Sequence, residues 1–197
     1  WLVRKYYGIH GVECRGVENL TESLAAGHGI ILVPNHSRPS DPTILGELAR
    51  SAGTHLYAMA SWSAFKQSSL QTFLVRRMGG FSVYREGMDR RALDCAIKIL
   101  STGERPLVVF AEGMISRTND HLGLLQEGAE FLARAAMRAS SRNGDQRQSV
   151  IHPVAIKYRF DGDLEASVEP VLDEIERRLS WSTSAGRPLR ERIDRIG

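Results

Sequence analysis

The sequence of 197 residues holds only two cysteines, Cys14 and Cys95, far apart and outside any CxxC or zinc-type spacing. That excludes a disulfide scaffold and a structural zinc site, and makes a reducing compartment the default setting. No window approaches the roughly 18 consecutive apolar residues of a membrane-spanning helix. No signal peptide is readable, although a chain that opens at Trp1 and closes in a charged stretch reads as a trimmed piece. Neither the dinucleotide-binding glycine fingerprint nor the P-loop pattern occurs. The GxSxG elbow is also missing, which argues against an α/β-hydrolase and a covalent serine intermediate. Charge of one sign is scarce too. With 26 basic and 23 acidic residues the net charge is +3, well short of the density of a nucleic-acid binder.

What remains is ordinary globular composition, 42% hydrophobic and 25% charged, in a chain long enough for one domain with a sizeable core. Short apolar runs alternate with amphipathic stretches. The runs predict strands at Gly29–Val33, His55–Ala60, Phe81–Tyr84, Leu107–Ala111 and Val150–Tyr158. The stretches predict helices at Pro42–Ala52, Ser63–Met78, Asp89–Ser101 and Gln126–Ser140. Ala92, Leu93, Ala96, Ile97 and Leu100 recur at helical spacing, as do Ala129, Leu132, Ala133 and Ala136, so both sets should face a core. The alternation predicts an α/β fold, one domain with a mostly parallel central sheet flanked by helices. Residues 1–180 should form that domain. Residues 181–197 read as a linker or the start of a tail, with a helix in its arginine-rich end.

The chemistry concentrates where strands end. Pro34-Asn35-His36-Ser37-Arg38-Pro39-Ser40-Asp41-Pro42 follows the first apolar run directly, and open α/β sheets place their sites at such strand ends. An imidazole with a carboxylate partner makes a general base: the carboxylate fixes the tautomer and stabilises the imidazolium. On a continuous helix, residues five apart diverge by about 140° at 3.6 residues per turn. His36 and Asp41 therefore meet only if a turn intervenes, and Ser37-Arg38-Pro39-Ser40 has turn composition. Asp41-Pro42 equally suits a helix start, with aspartate as N-cap and proline in the first turn. Both readings of Asp41 stand open.

Other segments share this placement. Gly79-Gly80 permits a tight helix-to-strand turn, and Arg85 closes the following strand, where its planar fork suits a phosphate. Arg38, Arg76, Arg77 and Arg117 lie near the same segments, a distribution that suits phosphate or anionic lipid. Glu112 and Gly113 end the fourth run. The acid is placed to orient an arginine or accept from hydroxyls, or simply to close a turn, and the glycine allows a positive φ. Pro153 cannot donate to a ladder, so it marks an edge or a bulge. His152 reads as structural.

In order and spacing these segments resemble the glycerolipid acyltransferase family, the bacterial 1-acylglycerol-3-phosphate acyltransferases and their relatives. Asn35-His36 followed by Asp41 matches the family's NHxxxxD, and Gly80-Phe81-Ser82-Val83-Tyr84-Arg85 its strand ending in arginine. Phe110-Ala111-Glu112-Gly113 is similar to its FPEG, and the apolar strand with Pro153 to its fourth motif. Val17-Glu18-Asn19-Leu20 looks like the approach to the first strand. The resemblance spans about residues 12 to 160. It implies an O-acyltransferase moving a fatty acyl group from acyl-CoA or acyl carrier protein to a lysophospholipid. His36 would be the base and Asp41 its orienter, with no cofactor and no metal. Arg85, Glu112, Gly113, Lys66 and Arg117 would bind the acceptor. It implies a peripheral or monotopic protein on the cytoplasmic face of a membrane, docked near Trp62, Phe65 and Lys66, with no nucleic-acid partner.

The departures bear on the acceptor. Where the family follows its EG with Thr-Arg-Ser, this chain has Met114-Ile115-Ser116-Arg117, so the arginine is displaced by two positions. Ser61 stands at the position of a family lysine, and Ala111 replaces the usual proline. The alternatives are acyl transfer to a non-phosphate lipid, a thioester hydrolase, and a non-catalytic lipid-binding module.

Overall fold

The computed structural model describes residues 2–66, 68–84, 87–179 and 186–196. The chain divides into two compact units, Trp1–Lys157 and Tyr158–Gly197. The first begins with helices α1 (Leu2–Tyr7) and α2 (Val17–Ala25), strand β1 (Gly29–Pro34), helix α3 (Asp41–Ser51) and strand β2 (Tyr57–Ser61). A 3-10 turn (Trp62–Phe65), α4 (Ser69–Arg77), β3 (Gly80–Val83), α5 (Arg90–Thr102), β4 (Leu107–Val108), α6 (Gly128–Arg142) and β5 (Ser149–Val154) complete it. The second unit holds α7 (Leu164–Arg178) and α8 (Leu189–Ile196). Among the described residues no helix is long and apolar enough to cross a membrane.

All strand pairs are parallel, in the order β3-β2-β4-β1-β5. The α/β fold with a parallel central sheet is therefore as the alternation predicts. A parallel sheet needs helical crossovers, and these cover it with apolar faces. One face is built from Ala96, Ile99 and Leu100 of α5 and Ala129, Leu132, Ala133 and Ala136 of α6, packed on Ile31 and Leu107. Burying each of the larger side chains contributes about 1.5–3 kcal/mol. Asp89 starts α5 by accepting the Ala92 N–H at 3.1 Å, and Gly103 ends it at φ 61. Gly79 turns the chain from α4 into β3 at φ 87, and a Cβ there would overlap the Leu56 carbonyl. Pro153 pairs with Val33 on β5, an edge strand, where its missing N–H breaks no inner ladder.

Two elements depart from the sequence pattern. The stretch Ser63–Met78 is not one helix but a 3-10 turn followed by α4. Its serines and threonine bond locally: Ser61 Oγ pairs with Ser63 Oγ at 3.0 Å, and Thr72 Oγ1 donates to the carbonyls of Phe65 and Ser68. Such hydroxyls offer the backbone an alternative to the helix. Strand β4 pairs only at Leu107–Val108, because the chain beyond peels toward β1's loop. Val17-Glu18-Asn19-Leu20, the expected approach to the first strand, opens helix α2, which leads into β1.

The division after Lys157 falls inside the 1–180 span expected as one domain, and residues 181–185 of the expected linker lie outside the described residues. Within the second unit, Arg192 of α8 is buried and bonds Glu176 Oε2 at 3.0 Å and Asp173 Oδ1 at 2.7 Å on α7.

His152 of β5 shares a 2.9 Å hydrogen bond with Ser23 Oγ of α2. Burial holds its pKa below the usual histidine range. Below about pH 6.5 the unfolded chain takes up a proton that the folded chain resists. The stability His152 contributes is therefore full above that pH and lost as pH falls through the lower folded value. The melting temperature should drop on acidification from the mid-6 range, and His152→Gln should flatten that part of the profile. A variant whose pH profile superimposes on that of the parent would remove His152 from the account.

Candidate active site

Because every strand is parallel, the segments leaving β1, β2, β3, β4 and β5 emerge on one edge of the sheet. The loop after β1 is fixed first. Asn35 N–H donates to the Val154 carbonyl at 3.3 Å. Its side-chain Oδ1 accepts from Ile156 N–H at 2.6 Å, and Nδ2 donates to the Ile156 carbonyl and to Ser37 Oγ, each at 3.0 Å. The carboxamide imitates a strand's backbone, extending the β1–β5 pairing through one side chain. Asn35→Ala leaves Ile156's backbone groups unmatched and should cost about 1–3 kcal/mol in a urea titration.

The chain then turns. Asp41 N–H donates to the Arg38 carbonyl at 3.1 Å, closing the tight bend that a histidine and an aspartate five apart require. His36 Nδ1 lies 2.9 Å from Asp41 Oδ2, and the same oxygen accepts from Arg38 N–H at 2.9 Å. Ser40, not Asp41, occupies the cap position of α3, and it makes no side-chain cap bond. Asp41 is the first helical residue, with its carboxylate turned back to the loop. The Asp41 side chain is fully buried, while that of His36 is 16% exposed. Phe110 stacks on the imidazole with centroids 4.0 Å apart.

A carboxylate only accepts, so the shared proton sits on Nδ1 and the lone pair on Nε2. Among the described residues Nε2 has no hydrogen-bond partner. The arrangement is an oriented base able to draw a proton from a hydroxyl within reach.

The loop after β4 grips the same residue from the other side. Glu112 is buried, and its Oε1 accepts the His36 N–H at 2.7 Å. Its Oε2 accepts the Gly123 N–H at 3.1 Å. Ser116 donates from N at 2.8 Å and from Oγ at 3.1 Å to the His36 carbonyl. Gly113 sits at φ 71, in the left-handed region its sequence position suggests.

The structure thus brings His36, Asp41 and Glu112 into one cluster, with Gly113 beside it. Lys66 follows the 3-10 turn beyond β2, with its ammonium 3.9 Å from the Trp62 ring centroid. Arg117 is exposed at φ 58 and makes no ion pair among the described residues. Arg85 lies outside the described residues. Sequence reasoning gave no role to Asn35, Phe110, Ser116 or Gly123. The first two sit inside quoted motifs, but their partners are backbone atoms or a ring brought in by folding. Among the described residues there is no cluster of three histidine, cysteine or acidic side chains that could hold a metal.

A family model described as Acyltransferase matches residues 11–157. That span contains every residue of the cluster and the whole sheet. No curated protein matches the chain.

Proposed function

The chain belongs to the acyltransferase family, and from that premise we propose that it transfers a fatty acyl group from a thioester to the hydroxyl of a lysophospholipid, such as 1-acylglycerol-3-phosphate. The donor is acyl-CoA or acyl carrier protein. The observation that carries the reading is the 2.9 Å contact between His36 Nδ1 and Asp41 Oδ2, which leaves Nε2 free. Nε2 takes the acceptor's hydroxyl proton as that oxygen attacks the thioester carbonyl. The tetrahedral intermediate collapses with loss of the thiolate, which is protonated by the imidazolium. A lipid hydroxyl is a poor nucleophile and a thioester a good electrophile, so positioning and deprotonation are the main needs.

Lys66, Arg85, Gly113 and Arg117 are the acceptor-binding residues in this reading. A second acceptor class, a lipid without phosphate, is favoured by one observation. The arginine after Glu112-Gly113 stands two positions late, exposed and at a positive φ. The reaction takes place on the cytoplasmic face of a membrane in this proposal. Met114, Leu122, Leu124 and Leu125, all exposed in the segment between β4 and α6, suit contact with a lipid surface.

Purified protein should release free thiol from long-chain acyl-CoA or acyl carrier protein only when a suitable acceptor is present. A panel of lysolipids with and without phosphate separates the two acceptor readings by which of them supports release. Thiol release that ignores every acceptor would point to hydrolysis instead.

A further inference from the structure

Glu112 has both carboxylate oxygens committed to main-chain donors in two separate loops. Oε1 accepts from His36 N–H at 2.7 Å and Oε2 from Gly123 N–H at 3.1 Å. The residue is 7% exposed, leaving little surface for a lipid headgroup. We propose that Glu112 is a positioning residue: it sets the backbone of His36, and through it the aim of Nε2, and it does not grip the acceptor. The inference rests on His36 being the base of the proposed reaction.

The physical case has three parts. A hydrogen bond from N–H to an ionised carboxylate is shorter and stronger than a neutral one, and 2.7 Å falls in that range. The His36 peptide is held at its other end as well, since Ser116 donates twice to its carbonyl. With N–H and C=O both fixed by the segment after β4, the dihedrals of His36 have no slack, while Asp41 fixes the ring. Finally, Gly123 packs directly against the Glu112 carboxylate. A Cβ there would sit 2.9 Å from Glu112 Oε2, so the loop is fitted to the carboxylate itself. A reacting group misplaced by about 1 Å can lose about 100-fold in rate.

Glu112→Gln keeps the shape but turns an amide NH₂ toward one of two N–H donors, so one hydrogen bond must fail. The expected result is a fall in kcat of about 10–100-fold, with the acceptor KM within about twofold of the parent. Gly123→Ala displaces Oε2 without altering any charge, and should lower kcat in the same sense by a smaller factor. In proton NMR the amide resonances of His36 and Gly123 should lie downfield in the parent and both move upfield in Glu112→Gln. Melting curves establish that each variant is folded; if Glu112→Gln is not, Gly123→Ala carries the kinetic and spectroscopic readouts. An acceptor KM that rises while kcat holds would overturn the proposal, because that is the signature of a binding contact. Amide resonances that do not respond would overturn it too. If the parent transfers acyl groups to no acceptor, the proposed reaction fails, and the amide shifts decide on their own whether Glu112 sets the His36 backbone.

Discussion

His36→Ala is expected to lower kcat/KM for acyl transfer by about 10²–10⁴-fold, the usual worth of a positioned general base. The expectation follows from the surroundings of the ring more than from the residue type. Nδ1 is occupied by Asp41 at 2.9 Å, Phe110 covers one face at 4.0 Å, and the main chain is held at both ends by Glu112 and Ser116. Every contact fixes the imidazole, and among the described residues none uses Nε2. Alanine removes the base and the ring stack but keeps the backbone bonds, so the loop should stay in place, while the buried Asp41 carboxylate loses one donor and the melting temperature falls modestly. Rates are read from acceptor-dependent thiol release, and folding from thermal melts of the same samples. A variant that is folded and retains more than about a tenth of the parent rate would move the base elsewhere.

Much of this fold could be read from the residues, and for a simple reason. Buried parallel strands are nearly continuous apolar runs, so Gly29–Val33 and Val150–Tyr158 announce β1 and β5 to within a few residues. The helical spacing of Ala129, Leu132, Ala133 and Ala136 likewise gives the buried face of α6. The His36–Asp41 pair was legible because a turn was the only geometry that lets the two meet. The rest turned on interactions that carry no local signature. Ser61, Ser63 and Thr72 bond nearby hydroxyls and carbonyls and split the predicted helix in two. Beyond β4, Glu112 serves a residue 76 positions away in sequence, and Phe110 stacks on that same residue. Glu112's partners are N–H groups, which every residue except proline possesses, so no pattern of side chains could point to them. Arg192 pairs across 16 residues with Glu176, and only the packing of α8 on α7 brings them together.

Asp41→Asn should be nearly as damaging to rate as loss of His36, again about 10²–10⁴-fold, with far less effect on stability. Two donors, His36 Nδ1 and Arg38 N–H, converge on the single oxygen Oδ2. An asparagine can place its carbonyl oxygen there and keep both, and Arg38 N–H disfavours the flipped rotamer that would present NH₂. The exchange therefore removes charge and leaves shape. Asp41 is fully buried, and a buried charge acts through a lower dielectric than water, so its help to the imidazolium in the transition state is strong. Asp41→Ala goes further: it strands the Arg38 N–H as well, adding an instability of about 1–3 kcal/mol to the same kinetic loss. The two variants together separate the roles. Asparagine slow but stable, and alanine slow and less stable, is the pattern of a carboxylate that acts by charge and also holds the turn. Asparagine with close to parent activity would mean that Asp41 serves only the turn, and that the imidazolium finds its stabilisation from another group at the sheet edge.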